Sequence, residues 1–319
     1  MNKRILIVGL GSIGKKHYSL ISNNFPEANI MFFRHNLTDN NKSSDLHTME
    51  MVENFSPEIS FICNPASKHI DYAIKLANLG SHLFIEKPLG INMDGISCLK
   101  KITKKKGLIV QIGYNLRYLD SLIFLKKLIH NEKYGRPLYF KSKVGQSLEL
   151  WRKNHSNAKS ISLQKNLGGG VIFELSHEID YLLWLFNSFN YTNVTKGKTY
   201  FHSSDVEDTA FITLGNKCNN KFKIIGDLSL DFVRQDIVRE CEIVCQSATI
   251  KWLPLETKII IADAKKEKVI NFKNDTIEET YLKQLHCFFN SIRKYKTPFN
   301  DLEEGIKTLK LITELYGTT

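Results

Sequence analysis

The chain has six cysteines in 319 residues, Cys63, Cys98, Cys218, Cys241, Cys245 and Cys287, and no two of them form a CxxC pair. Without that spacing, and without a Cys and His cluster, no metal site is expected. Cys241 and Cys245 lie four apart on a segment that reads as a strand, hence on one face, which suits core packing. No window approaches 18 consecutive apolar residues, so no membrane span is expected. Lys3 and Arg4 lead into only a short apolar run, too short for a signal peptide, and a cytoplasmic location is the expectation. Internal repeats and low-complexity linkers are missing too. Acids are outnumbered: 33 Asp and Glu stand against 44 Lys and Arg, a net charge of +11. The lysines are scattered. Their densest run, Lys100-Lys101 with Lys104 to Lys106, ends a helical pattern, where cations suit the helix dipole. The excess therefore reads as a solvated surface that attracts an anionic small molecule, with no nucleic acid as partner.

What is present begins at Lys3. The apolar run Ile5 to Val8 meets Gly9-Leu10-Gly11-Ser12-Ile13-Gly14, and a helical pattern follows. This is GxGxxG after a strand and at the start of a helix, the setting of a dinucleotide cradle. Gly9 permits the tight turn, Gly11 removes a Cβ that would block a pyrophosphate, and Gly14 lets helix and strand pack closely. The amides around Ser12 and Ile13 then face the phosphates.

About 20 residues on, where such a fold reads the ribose, the second strand ends in Arg34-His35-Asn36. An acid would bond the 2′-hydroxyl of NAD. Arg34 suits a 2′-phosphate, so NADP is favoured over NAD. An arginine can also stack on adenine or lie in solvent, and Asp39 and Asp45 further along could restore NAD.

Strands alternate with helices to residue 113, which makes a parallel, doubly wound sheet. Helices are expected over 44–54, over 66–79 with Ser67 as a cap, and from Asn92 as cap to about 106. Gly9, Arg34, Asn64, Glu86-Lys87-Pro88 and Tyr114 fall at the carboxyl ends of strands, where ligands bind. Beyond Gly113 the rhythm changes. A strand is expected over 138–146, one helix over 171–186, and seven period-two runs between 191 and 272 that make a largely antiparallel sheet. Two helices close the chain. The fold class is α/β, a Rossmann sheet followed by an α+β domain. The expected domains are residues 1–116, binding the dinucleotide, and 117–319, binding substrate and assembling oligomers.

The order GLGSIGKKH, then Glu86-Lys87-Pro88, then GGGVIFELSHEID ahead of an antiparallel sheet, resembles the glucose-fructose oxidoreductase, inositol dehydrogenase and MocA (Gfo/Idh/MocA) family. The resemblance covers the whole chain. It implies hydride transfer between a nicotinamide and a carbinol carbon of a sugar, sugar acid or nucleotide sugar, and a homo-dimer or homo-tetramer formed through the C-terminal sheet. It implies that Lys87 hydrogen-bonds the reacting oxygen and that His177 exchanges its proton, with Asp180 as the acid of the H-x-x-D pattern. Asp180 shares a helix face with His177 and either orients the imidazole or packs at a domain contact. Glu174 lies three residues before His177, where many members have an Asp four before it; its role as a catalytic acid rests on that shifted spacing.

Asn64, Pro65 and His69 match a segment that in the family lies along the nicotinamide ribose, and His35 and Glu86 complete the expected cofactor contacts. Tyr114, Asn115, Arg117, Trp151, Arg152 and Lys153 are expected at the substrate, the last three equally readable as an ordinary polar loop. Two other readings belong to the same resemblance: a redox-neutral enzyme that cleaves glycosides with bound NAD, and a dinucleotide-binding regulator. A regulator needs neither Lys87 nor His177.

Overall fold

The computed structural model describes residues 3–34, 44–148, 161–201, 204–219 and 221–317. Two compact units divide it: residues 1–114 with 282–309, and residues 115–281 with 310–319. Residues 282–309, from late in the chain, thus lie with the first unit.

In the first unit the strands β1 (Arg4–Val8), β2 (Asn29–Phe33), β3 (Asp45–Leu46), β4 (Ile59–Ile62), β5 (His82–Ile85) and β6 (Val110–Ile112) form one parallel sheet in the order β3-β2-β1-β4-β5-β6. The order reverses beside β1, which pairs with β2 on one side and β4 on the other. The carboxyl end of β1 is therefore the crevice in which such sheets take ligands. Helices α1 (Ser12–Asn24), α2 (Met49–Phe55), α3 (His69–Asn78) and α4 (Ile96–Lys106) make the crossovers.

Three helix expectations change. Over 44–54 the first residues form β3, paired with Phe32 and Phe33, and α2 starts only after Thr48, whose hydroxyl accepts from the Met51 amide at 3.2 Å. Over 66–79 a 3-10 turn, Ala66–Lys68, precedes α3, so Ser67 is not a cap. Asn92 forms a local turn with Asp94, and Gly95 at φ +75° opens α4.

The core of this unit joins Ile5, Ile7, Phe61 and Phe84 to Leu285, Phe288 and Phe289 of α8 (Ile277–Lys294), a helix from the far end of the chain. Burying each phenyl ring contributes about 1.5–3 kcal/mol. Polar groups make the same join: Gln111 donates to the Gln284 carbonyl at 3.0 Å, and Asn300 donates to the carbonyls of Ile112 and Tyr114 at 2.7 and 3.0 Å. The edge strand β6 is thereby covered.

The second unit holds α5 (Asp120–His130), β7 (Pro137–Gly145), α6 (Val171–Glu174), α7 (Ser176–Phe186) and the strands β8 (Tyr191–Gly197), β9 (Thr209–Cys218), β10 (Lys221–Asp231), β11 (Val238–Cys245), β12 (Ala248–Leu253), β13 (Lys258–Asp263) and β14 (Glu267–Asn271). Its eight strands run β14-β13-β12-β11-β7-β10-β9-β8, antiparallel throughout except β7 with β10. Cys241 and Cys245 are buried on β11 (Val238–Cys245). The helix expected over 171–186 is two helices, divided at Leu175 (φ −96°, ψ 23°). The Glu178 amide bonds only three residues back, to Leu175, which tightens the chain at the junction. The final helix, α9 (Leu302–Gly317), closes the chain.

Candidate active site

β1 ends at Val8 and the backbone turns at Gly9, whose φ of +88° favours glycine. Its amide donates to the Phe33 carbonyl at 3.2 Å. A Cβ on Gly14 would lie 2.1 Å from the Gly9 carbonyl oxygen, so only glycine lets α1 start here. A Cβ on Gly11 would meet nothing within 4 Å; the space over Gly11 is open. No side chain caps α1, and its first turn carries no acid. Open space over uncapped amides at the positive end of a helix dipole suits a pyrophosphate. The cradle fits a dinucleotide.

Beside it Val8, Gly9, Leu10, Phe33, Arg34, Asn64 and Tyr72 line a pocket of about 260 Å³. Arg34 is held: its Nη1 lies 3.2 Å from Oδ2 of the buried Asp45. Asn64 presents a buried Oδ1 with no hydrogen-bond partner among the described residues, which a ligand donor could satisfy. His69, by contrast, is 1% exposed. Its Nδ1 lies 2.8 Å from the Pro88 carbonyl and its Nε2 2.8 Å from the Asn64 carbonyl, so it braces two loops. Burial lowers its pKa, outweighing the two carbonyls that raise it.

β5 runs into Glu86-Lys87-Pro88, with a cis peptide between Lys87 and Pro88. Lys87 is half-buried. Glu86, one of the expected cofactor contacts, is 7% exposed and holds two protein groups. Oε1 accepts from His17 Nε2 at 2.7 Å and Oε2 from the Lys87 amide at 3.2 Å. The spacing of Gly14, His17 and Ile21 on the buried face of α1 was the available signal for this contact: a polar residue in a buried stripe needs a buried partner.

In the second unit Gly168 and Gly170 turn with positive φ, +89° and +106°. The turn is pinned by Glu207, which takes the Ile172 amide at 3.2 Å and leaves no room for a Cβ on Gly170. α6 ends on Glu174 and α7 carries His177 in its first turn. Ser162 donates to Glu174 at 2.6 Å, a contact with no sequence signal. His177 is half-buried. Asp180 is 1% exposed, and both its oxygens accept from Arg117, Nε and Nη2 each at 2.8 Å. Arg117, expected at the substrate, is thus a buried partner of Asp180. Asn115 is 3% exposed and donates to Thr280 at 2.8 Å, and Tyr114 is 1% exposed. His35, Trp151, Arg152 and Lys153 lie outside the described residues.

Two family models match. "Oxidoreductase family, NAD-binding Rossmann fold", the GFO_IDH_MocA model, covers residues 3–114, and "Oxidoreductase family, C-terminal alpha/beta domain" covers residues 126–317. The chain belongs to the Gfo/Idh/MocA oxidoreductase family. It is 27% identical over 230 residues to the uncharacterized oxidoreductase YrbE of Bacillus subtilis, a match over 67% of this chain and 64% of YrbE. The chain spans less than two thirds of the length of the curated relatives it first matches. Levoglucosan dehydrogenase, solved with NADH and levoglucosan, has the same fold, with a TM-score of 0.84 over 100% of this chain and 97% of that one at 18% identity. So has the WlbA dehydrogenase of Bordetella pertussis, solved with NADH and UDP-GlcNAcA, with a TM-score of 0.81 over 100% and 96% at 18% identity.

Proposed function

We propose that this Gfo/Idh/MocA member is an NAD(P)-dependent dehydrogenase or reductase acting on a CH–OH group of a sugar, sugar acid or nucleotide sugar. The observation that carries the proposal is Lys87 on the strand end of the unit that holds the open glycine cradle. Gly9, Gly11, Ser12, Ile13 and Gly14 hold the pyrophosphate, and Arg34 and Asn64 flank the pocket beside it. A bound nicotinamide supplies or accepts the hydride. Lys87 donates a hydrogen bond to the reacting oxygen and stabilises the negative charge that develops there. His177 takes or returns the hydroxyl proton, since imidazole titrates near neutral pH. Ser162 orients Glu174 toward a substrate hydroxyl.

NADP is preferred through Arg34, and the net charge of +11 favours an anionic substrate. The protein assembles as a homo-dimer or homo-tetramer through the eight-stranded sheet. A groove of about 500 Å³ on that sheet sets Lys141, Lys143 and Lys251 among Asp227, Glu240 and Glu242, beside Phe211 at 60% exposure. Balanced charge around exposed apolar surface suits a second copy of the same face.

Mass spectrometry of the dinucleotide that copurifies tests the reading, followed by an absorbance screen at the reduced-nicotinamide band against phosphorylated and nucleotide sugars. A retained or titratable nicotinamide dinucleotide, reduced or oxidised by one of these sugars, is expected. Absence of any dinucleotide binding would contradict it.

A further inference from the structure

His17 lies on the buried face of α1 with Gly14 and Ile21 and is 2% exposed. Its surroundings are aromatic: the ring meets Phe84 edge-on at 4.8 Å and Phe61 at 5.3 Å. A polar ring among phenyl rings needs a hydrogen-bond partner, and Glu86 is that partner at 2.7 Å. The same carboxylate takes the Lys87 amide on its other oxygen. Gly113 closes the third side, so near that a Cβ there would lie 2.9 Å from Glu86 Oε2. Beyond Lys87, the Pro88 carbonyl is held by His69. The backbone from which the Lys87 side chain departs is therefore held on both sides.

We infer that His17 is a positioning residue: through Glu86 it ties the helix that opens the dinucleotide cradle to the backbone of Lys87. The inference rests on the reading that Lys87 serves the reacting oxygen. One helix then sets both the pyrophosphate position, at its amino end, and the ammonium position, one turn further on. A displacement of about 1 Å in such a group costs on the order of 10²-fold in rate.

The test compares His17→Leu and His17→Gln in the otherwise unchanged protein and in a Lys87→Met background. Leucine suits the phenyl rings but gives Glu86 no donor; glutamine restores an N–H. His17→Leu is expected to lower turnover about 30-fold while the dinucleotide Kd moves by less than about threefold. It is also expected to change the rate at which an amine-reactive ester labels Lys87 in the cofactor-free protein, read by peptide mass mapping. His17→Gln restores turnover and labelling. In the Lys87→Met background His17→Leu adds less than about a twofold loss, because its effect runs through Lys87.

A purely structural His17 gives the same loss in both backgrounds and an unchanged labelling rate, and that result overturns the inference. Gly113→Ala displaces the same carboxylate with His17 intact and is expected to reproduce every effect of His17→Leu; it decides the question if the leucine variant does not fold. Full activity in Lys87→Met alone contradicts the proposed function instead, so the two failures are distinguishable.

Discussion

Arg34 follows directly on β2 and has one nitrogen of its guanidinium on Asp45. That carboxylate offsets part of the charge a 2′-phosphate would meet, and the proposed preference for NADP would rest on the remaining donors of the fork. Arg34→Ala is expected to weaken NADP binding about tenfold more than NAD binding in parallel titrations. Equal weakening of the two contradicts the preference. Arg34 is legible in sequence from its distance to the glycines. Its pairing is not, because Asp45 reaches it from the two-residue strand β3, inside a stretch whose pattern reads as helix. His69 carries a second residue-scale expectation. Its folded pKa lies below the ordinary 6.5, so the unfolded chain binds the proton more tightly. The stability that neutral His69 contributes is full above pH 6.5 and declines as the pH falls below it. Melting temperatures at about pH 7.5 and pH 5.5 are expected to differ less in His69→Gln than in the unchanged protein. An equal difference contradicts this.

At the scale of the element, α7 is held by two ion pairs from one face to the next. Asp180 meets Arg117, and Glu178, fully buried, meets Arg239 of β11 at 2.9 Å. Burial raises the Glu178 pKa, and Arg239 opposes that rise. Removing one partner leaves a buried charge alone, so Arg117→Met is expected to cost about 3–5 kcal/mol in urea unfolding. A cost below about 1 kcal/mol would show the pair to be dispensable. The sequence pattern places His177 and Asp180 on a common helix face, but a helix face does not name its tertiary partner. Arg117 lies 63 residues from Asp180, and periodicity carries no information over that separation. The same limit hides Ser162 behind Glu174, and the buried position of His17 calls for a partner without naming Glu86. The glycines are different: their constraint is local backbone geometry, and Gly9 and Gly14 read the same in sequence and structure.

At the scale of the whole chain, both sheets follow from patterns of period and alternation, and the strand ends carry Gly9, Arg34, Asn64 and Lys87 as expected. The division into units does not follow from those patterns. The closing helices have amphipathic faces that suit either unit, and only the packing of Leu285, Phe288 and Phe289 against Ile5, Phe61 and Phe84 assigns α8 to the Rossmann core. The described residues include no helix long and apolar enough to cross a membrane. The dinucleotide cradle and the lysine that would act on the substrate oxygen thus belong to one unit built from both ends of the sequence. Lys87→Met tests that account most directly, with turnover and dinucleotide Kd measured on the same preparation. Turnover is expected to fall by about 10²–10⁴-fold with Kd changed by less than about threefold. Retention of more than about a tenth of the turnover contradicts the role of Lys87 at the reacting oxygen.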